Sequence, residues 1–270
     1  GPLRVLSLNV LHGFPRFEHL DQRLALVAQA IQDTDADIVC LQEVPWHWGS
    51  TARRLGERTG HNHLYLRANG NRWALLFEEG EAILSRFPLR DPAFIELKPR
   101  VNLFEHRVAL RATAATPWGP VQVTVTHLTH GEPDLNAGQA ASLAGFVAGA
   151  GEGPALVAGD FNAREDEPQI EALGWVDTSR EAHPEDPGFT CCVDDLVEGR
   201  VDELDKRIDY LFLVPSSRTK VVSSQRVLDR PSRPPEAPGR HWHSHGDKRD
   251  GGLLWASDHV GLLSEIELVQ

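Results

Sequence analysis

The sequence predicts an α/β chain folded as a sandwich of mixed or antiparallel sheets, and three observations carry that reading. Helical and strand periodicities alternate through the first quarter of the chain. From Trp73 to Thr126 one strand signal follows another, with Pro117-Trp118-Gly119-Pro120 as the hairpin turn between the last two. Short apolar runs spread along the chain each carry a carboxylate, amide or imidazole at one end, the first at Asn9 and the last at His259. Strands interleaved with helices and hairpins fit stacked layers rather than a regular βαβ barrel.

Leu3 to Leu11, rich in Val and Leu and uncharged after Arg4, reads as a central strand. Leu20, Leu24, Val27 and Ile31 then recur at helical spacing with polar residues between them, which predicts an amphipathic helix. Ala36 to Gln42 is a second strand that delivers Glu43 at its end, and Ser50 to Thr59 reads as a second helix. Strands are expected at Trp73 to Phe77, Ala82 to Ser85, Ala93 to Leu97, Arg107 to Ala114 and Val121 to Thr126. Gly138 to Ala150 is an Ala-rich helix, followed by the apolar strand Ala155 to Ala158, after which Gly159 permits a tight turn. Ile208 to Val214, Val221 to Val227 and Val260 to Leu268 supply the later strands. Arg230 to Gly252, dense in Pro, Arg, His and Gly, is the one long loop, expected to overhang Ser257-Asp258-His259. No internal repeat is evident.

The 270 residues, 41% hydrophobic, suffice for one large core. Because the polar-ended runs span positions 9 to 259, residues 1–270 are expected to form a single domain whose site closes only when both halves are present. The formal charge of −12 works against broad attraction to a polyanion. A local exception runs from Arg226 to Asp250, where six Lys or Arg and three His face four Asp or Glu; a solvated loop is the plain explanation and a phosphate contact the other. Cys40 belongs in a buried strand, and the adjacent Cys191 and Cys192 could bond only with strain, so no pair requires an oxidising compartment. No apolar run approaches the roughly 20 residues that cross a bilayer. Gly1-Pro2 reads as the scar of a cleaved tag, so a leader is left open, and with it the choice between a cytoplasmic and a secreted protein.

The chemistry lies in the polar ends. Glu43 follows Ile38-Val39-Cys40-Leu41-Gln42, and a hard divalent cation needs one or two such carboxylates beside a substrate phosphate. In Gly159-Asp160-Phe161-Asn162 the two side chains, at i and i+2 of an extended backbone, can project together. Asp160 is then placed to hold or deprotonate a water and Asn162 to donate to a phosphate oxygen; an Asx turn is the plain alternative. Asp258 and His259 add a carboxylate and an imidazole, with Asp209 as the carboxylate expected to orient His259 and raise its pKa. His127 is either a core histidine or a second imidazole that binds phosphate or protonates a leaving oxygen, and the Asn9 amide could bind the cation or orient Glu43. Together these residues point to metal-assisted hydrolysis of a phosphoester with Mg²⁺ or Mn²⁺, Ca²⁺ being an alternative.

Leu8-Asn9, Leu41-Gln42-Glu43, Ala82-Ile83-Leu84-Ser85-Arg86-Phe87-Pro88, Thr126-His127-Leu128, Gly159-Asp160-Phe161-Asn162, Arg207-Ile208-Asp209-Tyr210 and Ser257-Asp258-His259 together resemble the endonuclease/exonuclease/phosphatase superfamily. The segments follow that family's order and cover nearly the whole chain. The resemblance implies a DNase I-like four-layered α/β sandwich, two central mixed β-sheets flanked by helices, with the site at one end. It implies Asn9, Glu43 and Asp258 at the metal, with His127, Asp160, Asn162, Asp209 and His259 catalytic. His127 in the Thr-His-Leu segment is more similar to the branches of secreted DNases, sphingomyelinases and diverse phosphatases than to the abasic-site repair branch.

The acidic balance favours a small phosphodiester or phosphomonoester over nucleic acid, and a monomer is expected. A nuclease of the same superfamily is the alternative, its groove formed by Arg53, Arg54 and Arg86, the last taken as a substrate-binding residue. A noncatalytic phosphate-binding module is the third reading, opposed by the presence of every expected polar group. No long apolar hairpin for a membrane surface is evident. Trp46-His47-Trp48 reads as one structural and one exposed tryptophan. His241, His243 and His245 would share a face of an extended segment and could trap zinc, although the surrounding Gly, Pro and Arg argue for a loop.

Overall fold

A computed structural model describes residues 1–216, 218–235 and 252–269. Most of the predicted Arg230–Gly252 loop, including His241, His243 and His245, lies outside the described residues. One six-stranded sheet contains β1 (Leu3–Asn9), β2 (Ile38–Trp46), β3 (Asn62–Asn71), β4 (Phe77–Ser85), β11 (Thr219–Val227) and β12 (Gly261–Leu268), in the order β11-β12-β1-β2-β4-β3. The other contains β5 (Leu89–Glu96), β6 (Val108–Thr116), β7 (Gly119–His127), β8 (Ala155–Asp160), β9 (Val176–Asp177) and β10 (Asp209–Leu213), in the order β5-β6-β7-β8-β10-β9. Both sheets are mixed. Helix α1 (Leu20–Asp33) joins the parallel pair β1 and β2, and α3 (Pro133–Ala148) joins the parallel pair β7 and β8. Helix α2 (Thr51–Thr59) starts at Ser50, whose hydroxyl caps the Arg53 amide; α4 (Pro168–Glu171) and α5 (Thr178–Ala182) are short.

Strand parity sorts the core into layers. Leu3 and Val5 of β1, Ile38 and Cys40 of β2, Val123 and Val125 of β7, Leu156 and Ala158 of β8 and Leu211 of β10 meet between the sheets. Leu6, Leu8, Val39 and Leu41 face the other way, onto Leu24, Val27 and Ile31 of α1. Val157, Tyr210 and Phe212 pack with Leu143 and Val147 of α3. The result is the predicted four-layered sandwich, helix, sheet, sheet, helix. Gly159 is not at a turn but within β8: a Cβ there would collide with the Thr126 carbonyl of β7, so the glycine permits close strand approach.

The predicted strand Trp73–Phe77 is a correction. Only Phe77 is in a strand, and residues 72–75 form a turn. The Asn71 side chain accepts from the amides of Trp73 (2.9 Å) and Ala74 (3.1 Å), and the Leu75 amide donates to the Asn71 carbonyl (2.8 Å). Such an Asx turn competes successfully with a strand ladder, whatever the hydropathy of the residues it carries.

Candidate active site

The same parity that builds the inter-sheet core builds the site at its end. Continuing β1 from Val5 places Asn9 on the inner face, and the same step from Val125, Ala158 and Leu211 places His127, Asp160 and Asp209 there. The ladders align three of them: His127 is opposite Asp160 across β7 and β8, and Asp160 is opposite Asp209 across β8 and β10. Glu43 would break the rule, since parity puts it on the helix-facing side with Leu41. A bulge between Leu41 and Val44 intervenes, and Glu43 takes φ of 54°, which re-aims its carboxylate into the cleft.

The groups form one connected network. The Asn9 amide nitrogen donates to Glu43 Oε1 (3.0 Å) and to Asp160 Oδ2 (3.1 Å), while its oxygen accepts from the Leu11 amide (3.0 Å). Asn9 therefore clamps the two carboxylates, the orienting role expected for it, while its amide oxygen keeps a second lone pair beyond the Leu11 amide. The His12 amide donates to Glu43 Oε2 at 3.2 Å. Burial works to raise the Glu43 carboxyl, but His12, the Asn9 amide and His259 outweigh it and hold it below the ordinary glutamate value. Asp258 is held above its ordinary value by burial, with the Glu43 charge adding to the effect.

His259 Nδ1 is 2.9 Å from Asp209 Oδ2, as expected, and its Nε2 is 3.6 Å from Asp160 Oδ2. Burial opposes a charge on the ring, but Asp209 and Asp160 overcome it and raise the pKa well above the ordinary histidine value. Asp160 in turn is pushed up to about 7 by burial and by Asp209. Asp209 Oδ2 also accepts from the Thr190 hydroxyl at 2.6 Å, and its Oδ1 is buried without a partner among the described residues. A disulfide joins Cys191 to Cys192, and the Cys191 sulfur lies 3.6 Å from His259 Nε2.

His127 behaves oppositely. Burial and the Arg107 guanidinium hold its pKa well below the ordinary value, so the ring is neutral. Arg107 Nη1 lies 3.1 Å from Nδ1, and Nε2 is 3.1 Å from Asn162 Nδ2 and 3.5 Å from Asp160 Oδ2. Both roles expected for His127, phosphate binding and protonation of a leaving oxygen, need a proton on the ring nitrogen that faces the cleft. Asn162 is not extended: its φ is 49°, its amide donates to Asp160 Oδ1 (2.9 Å) in an Asx turn, and its Nδ2 donates to the Leu128 carbonyl (2.9 Å). The turn does not exclude the cluster, because Nδ2 is still 3.1 Å from His127 Nε2.

Arg86 is not part of this assembly. It follows Ser85, which pairs with Ile38 at the opposite end of β2 from Glu43, and its guanidinium is spent on Asp35 (2.5 Å) and Asp37 (3.6 Å). Two groups that the sequence reading passed over belong to the site's support. Arg23, 0% exposed, donates to the carbonyls of Val10 (2.7 Å), Leu11 (3.0 Å), Glu18 (3.0 Å) and Ala256 (3.3 Å), tying the segment after Asn9 to the one before Asp258. Its signal is positional: Arg23 is three residues from Leu20 and four from Val27, on the apolar stripe of α1. Glu79 and Glu81 share the inner face of β4 with Ile83; burial raises both carboxyls, and Glu81 Oε2 is buried without a partner among the described residues.

Carboxylates thus outnumber cationic side chains around the cleft, the donors are hard oxygens, and two buried carboxylate oxygens lack partners. These residues fit a divalent cation. Glu43 and Asp258 form the more open pair. Asp160, Asp209 and His259 also bring ligand atoms within 4.8 Å of one another, but there the imidazole is already spent on the carboxylates.

No curated protein matches the chain in sequence. Solved structures do resemble it in fold. The human Nocturnin catalytic domain with bound sulfate is 20% identical at a TM-score of 0.72, covering 99% of this chain and 95% of that one. A mannosyl-6-phosphatase from Bacteroides thetaiotaomicron is 17% identical at 0.73, covering 98% and 99%. An endonuclease/exonuclease/phosphatase family protein from Leptotrichia buccalis is 17% identical at 0.72, covering 98% and 100%. The sequence pattern of the Endonuclease/Exonuclease/phosphatase family matches residues 6–259, from β1 to His259, and the chain belongs to that family, whose members are mostly hydrolases of phosphoesters.

Proposed function

We propose that the chain is a divalent-metal-dependent phosphoester hydrolase, a phosphodiesterase or phosphatase, using Mg²⁺ or Mn²⁺ with Ca²⁺ as an alternative. The observation that carries the reading is the in-register row His127, Asp160 and Asp209, completed by His259 and linked through Asn9 to Glu43. Glu43 and Asp258 would hold the cation, which supplies positive charge to the phosphoryl oxygens and lowers the pKa of water. Asp160, with its carboxyl near neutrality, orients the attacking water and takes its proton. His259, kept protonated by Asp209, donates from Nε2 to a phosphoryl oxygen as negative charge develops. His127 would bind the phosphoryl group or protonate the departing alcohol oxygen, and Asn162 lies beside it with Nδ2 3.1 Å from His127 Nε2.

Chelator-treated protein is the test. Hydrolysis of bis(p-nitrophenyl) phosphate or p-nitrophenyl phosphate should vanish with the cation and return with Mg²⁺ or Mn²⁺. Asp160→Ala and His259→Ala should each remove turnover with an unchanged circular dichroism spectrum. Turnover that ignores the chelator, or that survives Asp160→Ala, would overturn the reading. Cleavage of plasmid DNA with a steep salt dependence would move it to the nuclease branch.

A further inference from the structure

Two of the chain's three cysteines are neighbours in sequence, and they stand beside His259. Cys40 is buried in the apolar layer between the sheets with Ile38 and Val123, where a small thiol serves as packing. Cys191 and Cys192 are placed differently. Cys191 is buried and Cys192 half-buried, and the Cys191 sulfur is 3.6 Å from His259 Nε2, the ring nitrogen that also faces Asp160.

The backbone fixes that approach. The Cys191 amide donates to the Lys206 carbonyl and the Lys206 amide to the Cys191 carbonyl, both at 3.0 Å. On either side, the Val260 amide donates to the Thr190 carbonyl (2.7 Å) and the Val193 amide to the Asp258 carbonyl (3.1 Å), so the cysteines are strapped across the segment that carries His259. The Thr190 hydroxyl donates to Asp209, the partner of the other ring nitrogen.

A disulfide stabilises a fold by closing a loop of chain, and one between neighbours in sequence closes none. These cysteines therefore have a chemical reason to be there rather than a mechanical one. Once the bond is opened, two sulfurs and an imidazole nitrogen within 4.8 Å of one another form a set that a tetrahedral ion, at about 2.0–2.3 Å from each, can span. His259 is already oriented as such a ligand, because a carboxylate on the remote nitrogen is what holds a zinc-bound imidazole in place, and Asp209 Oδ2 is 2.9 Å from Nδ1. Asp160 Oδ2, 3.6 Å from Nε2, adds negative charge. Sulfur is a poor partner for Mg²⁺ and a good one for Zn²⁺, so this set and the oxygen pair Glu43 and Asp258 sort the two cations by hardness.

We propose that Cys191, Cys192 and His259 form a redox-gated site for a thiophilic divalent cation, and that its occupation takes His259 out of the reaction. The inhibitory half of this inference rests on the hydrolase reading; the binding half does not. In the oxidised protein the sulfurs are bonded to each other and Nε2 is free to face the phosphoryl group. A dithiol reductant passes two electrons and two protons to the pair: the S–S bond breaks, each sulfur gains a hydrogen, and the reductant closes its own disulfide. On binding Zn²⁺ the two thiols and Nε2 lose their protons to water. The Nε2 lone pair then goes to the metal, and no proton is left there for the substrate. Mg²⁺ stays where it is.

Full-length protein is prepared oxidised, or reduced with a dithiol that is then removed under anaerobic conditions. Iodoacetamide should leave Cys191 and Cys192 unmodified in the first and label both in the second, read by peptide mass. Co²⁺ added to the reduced protein should give thiolate-to-metal charge-transfer absorption in the near ultraviolet that one equivalent of Zn²⁺ abolishes; oxidised protein and Cys192→Ser should not show it. Against a chromophoric chelator, reduced wild type should bind Zn²⁺ about a hundredfold more tightly than oxidised wild type or Cys192→Ser, a comparison that sets aside His241, His243 and His245 because all three samples retain them. At saturating Mg²⁺, one equivalent of Zn²⁺ should slow hydrolysis of bis(p-nitrophenyl) phosphate about tenfold or more in reduced wild type, and leave oxidised wild type and reduced Cys192→Ser at their own zinc-free rates. Cys192→Ala serves as the second variant. No charge-transfer band in reduced wild type, a band of equal strength in Cys192→Ser, or equal Zn²⁺ affinity in both redox states would overturn the site. Labelling of both cysteines without reductant, or equal inhibition of the oxidised protein, would overturn the gate. Sulfur–metal absorption in a protein that hydrolyses no ester would keep the site and remove the hydrolase reading with the inhibition; ester hydrolysis without that absorption would keep the hydrolase and remove the site.

Discussion

Replacing Asp209 by Asn removes one negative charge from a buried pair while keeping the shape of the side chain. His259 Nδ1 is 2.9 Å from Asp209 Oδ2, and both side chains are nearly inaccessible to water. Taking the charges as about 4 Å apart and an effective dielectric constant of about 20, their attraction is about 4 kcal/mol. That makes the His259 imidazolium about a thousandfold easier to deprotonate, at about 1.4 kcal/mol for each factor of ten. Asp160, 3.6 Å from the other ring nitrogen, retains part of the attraction, so kcat should fall by about two to three orders of magnitude rather than more. The charge acts on the transition state, so KM should move little. The assay is steady-state hydrolysis of bis(p-nitrophenyl) phosphate at saturating Mg²⁺, with the His259 ring followed by NMR titration. An Asp209→Asn enzyme that keeps kcat within a few-fold while its His259 ring titrates as in wild type would refute the reasoning.

Arg23→Met should destabilise the fold by about 3 kcal/mol in urea, because four carbonyls lose a charged donor in a site too buried for water to replace it. Its Mg²⁺ affinity by calorimetry should weaken as well, since the segments carrying Asn9 and Asp258 are no longer tied; unchanged affinity and stability would show that Arg23 is dispensable. Glu96 gives a pH dependence of known sign. Burial opposes its charge, but His106, Arg100 and Lys98 outweigh that and hold the carboxyl at about 2, against 4.5 ordinarily. Its folded pKa is depressed, so the stabilisation is present above pH 4.5 and lost as pH falls towards 2. Hydrogen exchange of residues 97–107, corrected for intrinsic rates, should rise through that window in wild type and be raised already at neutral pH in Glu96→Gln; identical profiles would refute the clamp.

Most of the inner-face polar row was legible because it obeys one rule. Along each central strand the inner-face positions are alternate residues, so Val5, Val125, Ala158 and Leu211 carry the count to Asn9, His127, Asp160 and Asp209 without knowledge of which strands are neighbours. The pairing of Asp209 with His259 followed from chemical complementarity alone. Other features were hidden for separate physical reasons. Glu43 reaches the cleft only through a bulge, and a bulge is set by the partner strand, not by the local sequence. Asn162 comes beside His127 through the Asx turn that was the plain alternative, not through extended backbone. Arg86 was misplaced because the run Ala82–Ser85 does not reveal its direction, and antiparallel pairing carries its end away from the site.

The hydropathy of a segment and the backbone it adopts are separate constraints, and Trp73 to Leu76 is where they part. A periodic apolar run is normally a buried strand because burial supplies the largest favourable contribution to folding. Here Asn71 captures two backbone amides, closes a turn and leaves Trp73 in water. That arrangement gives up stability in the isolated chain, and Asn102 repeats it with Phe104 one connection away, tied to the first by Asn69 and His106. Two like departures from the burial rule, each closed by an asparagine side chain on two backbone amides, show that local capping can outweigh the hydropathy of the residues that follow it.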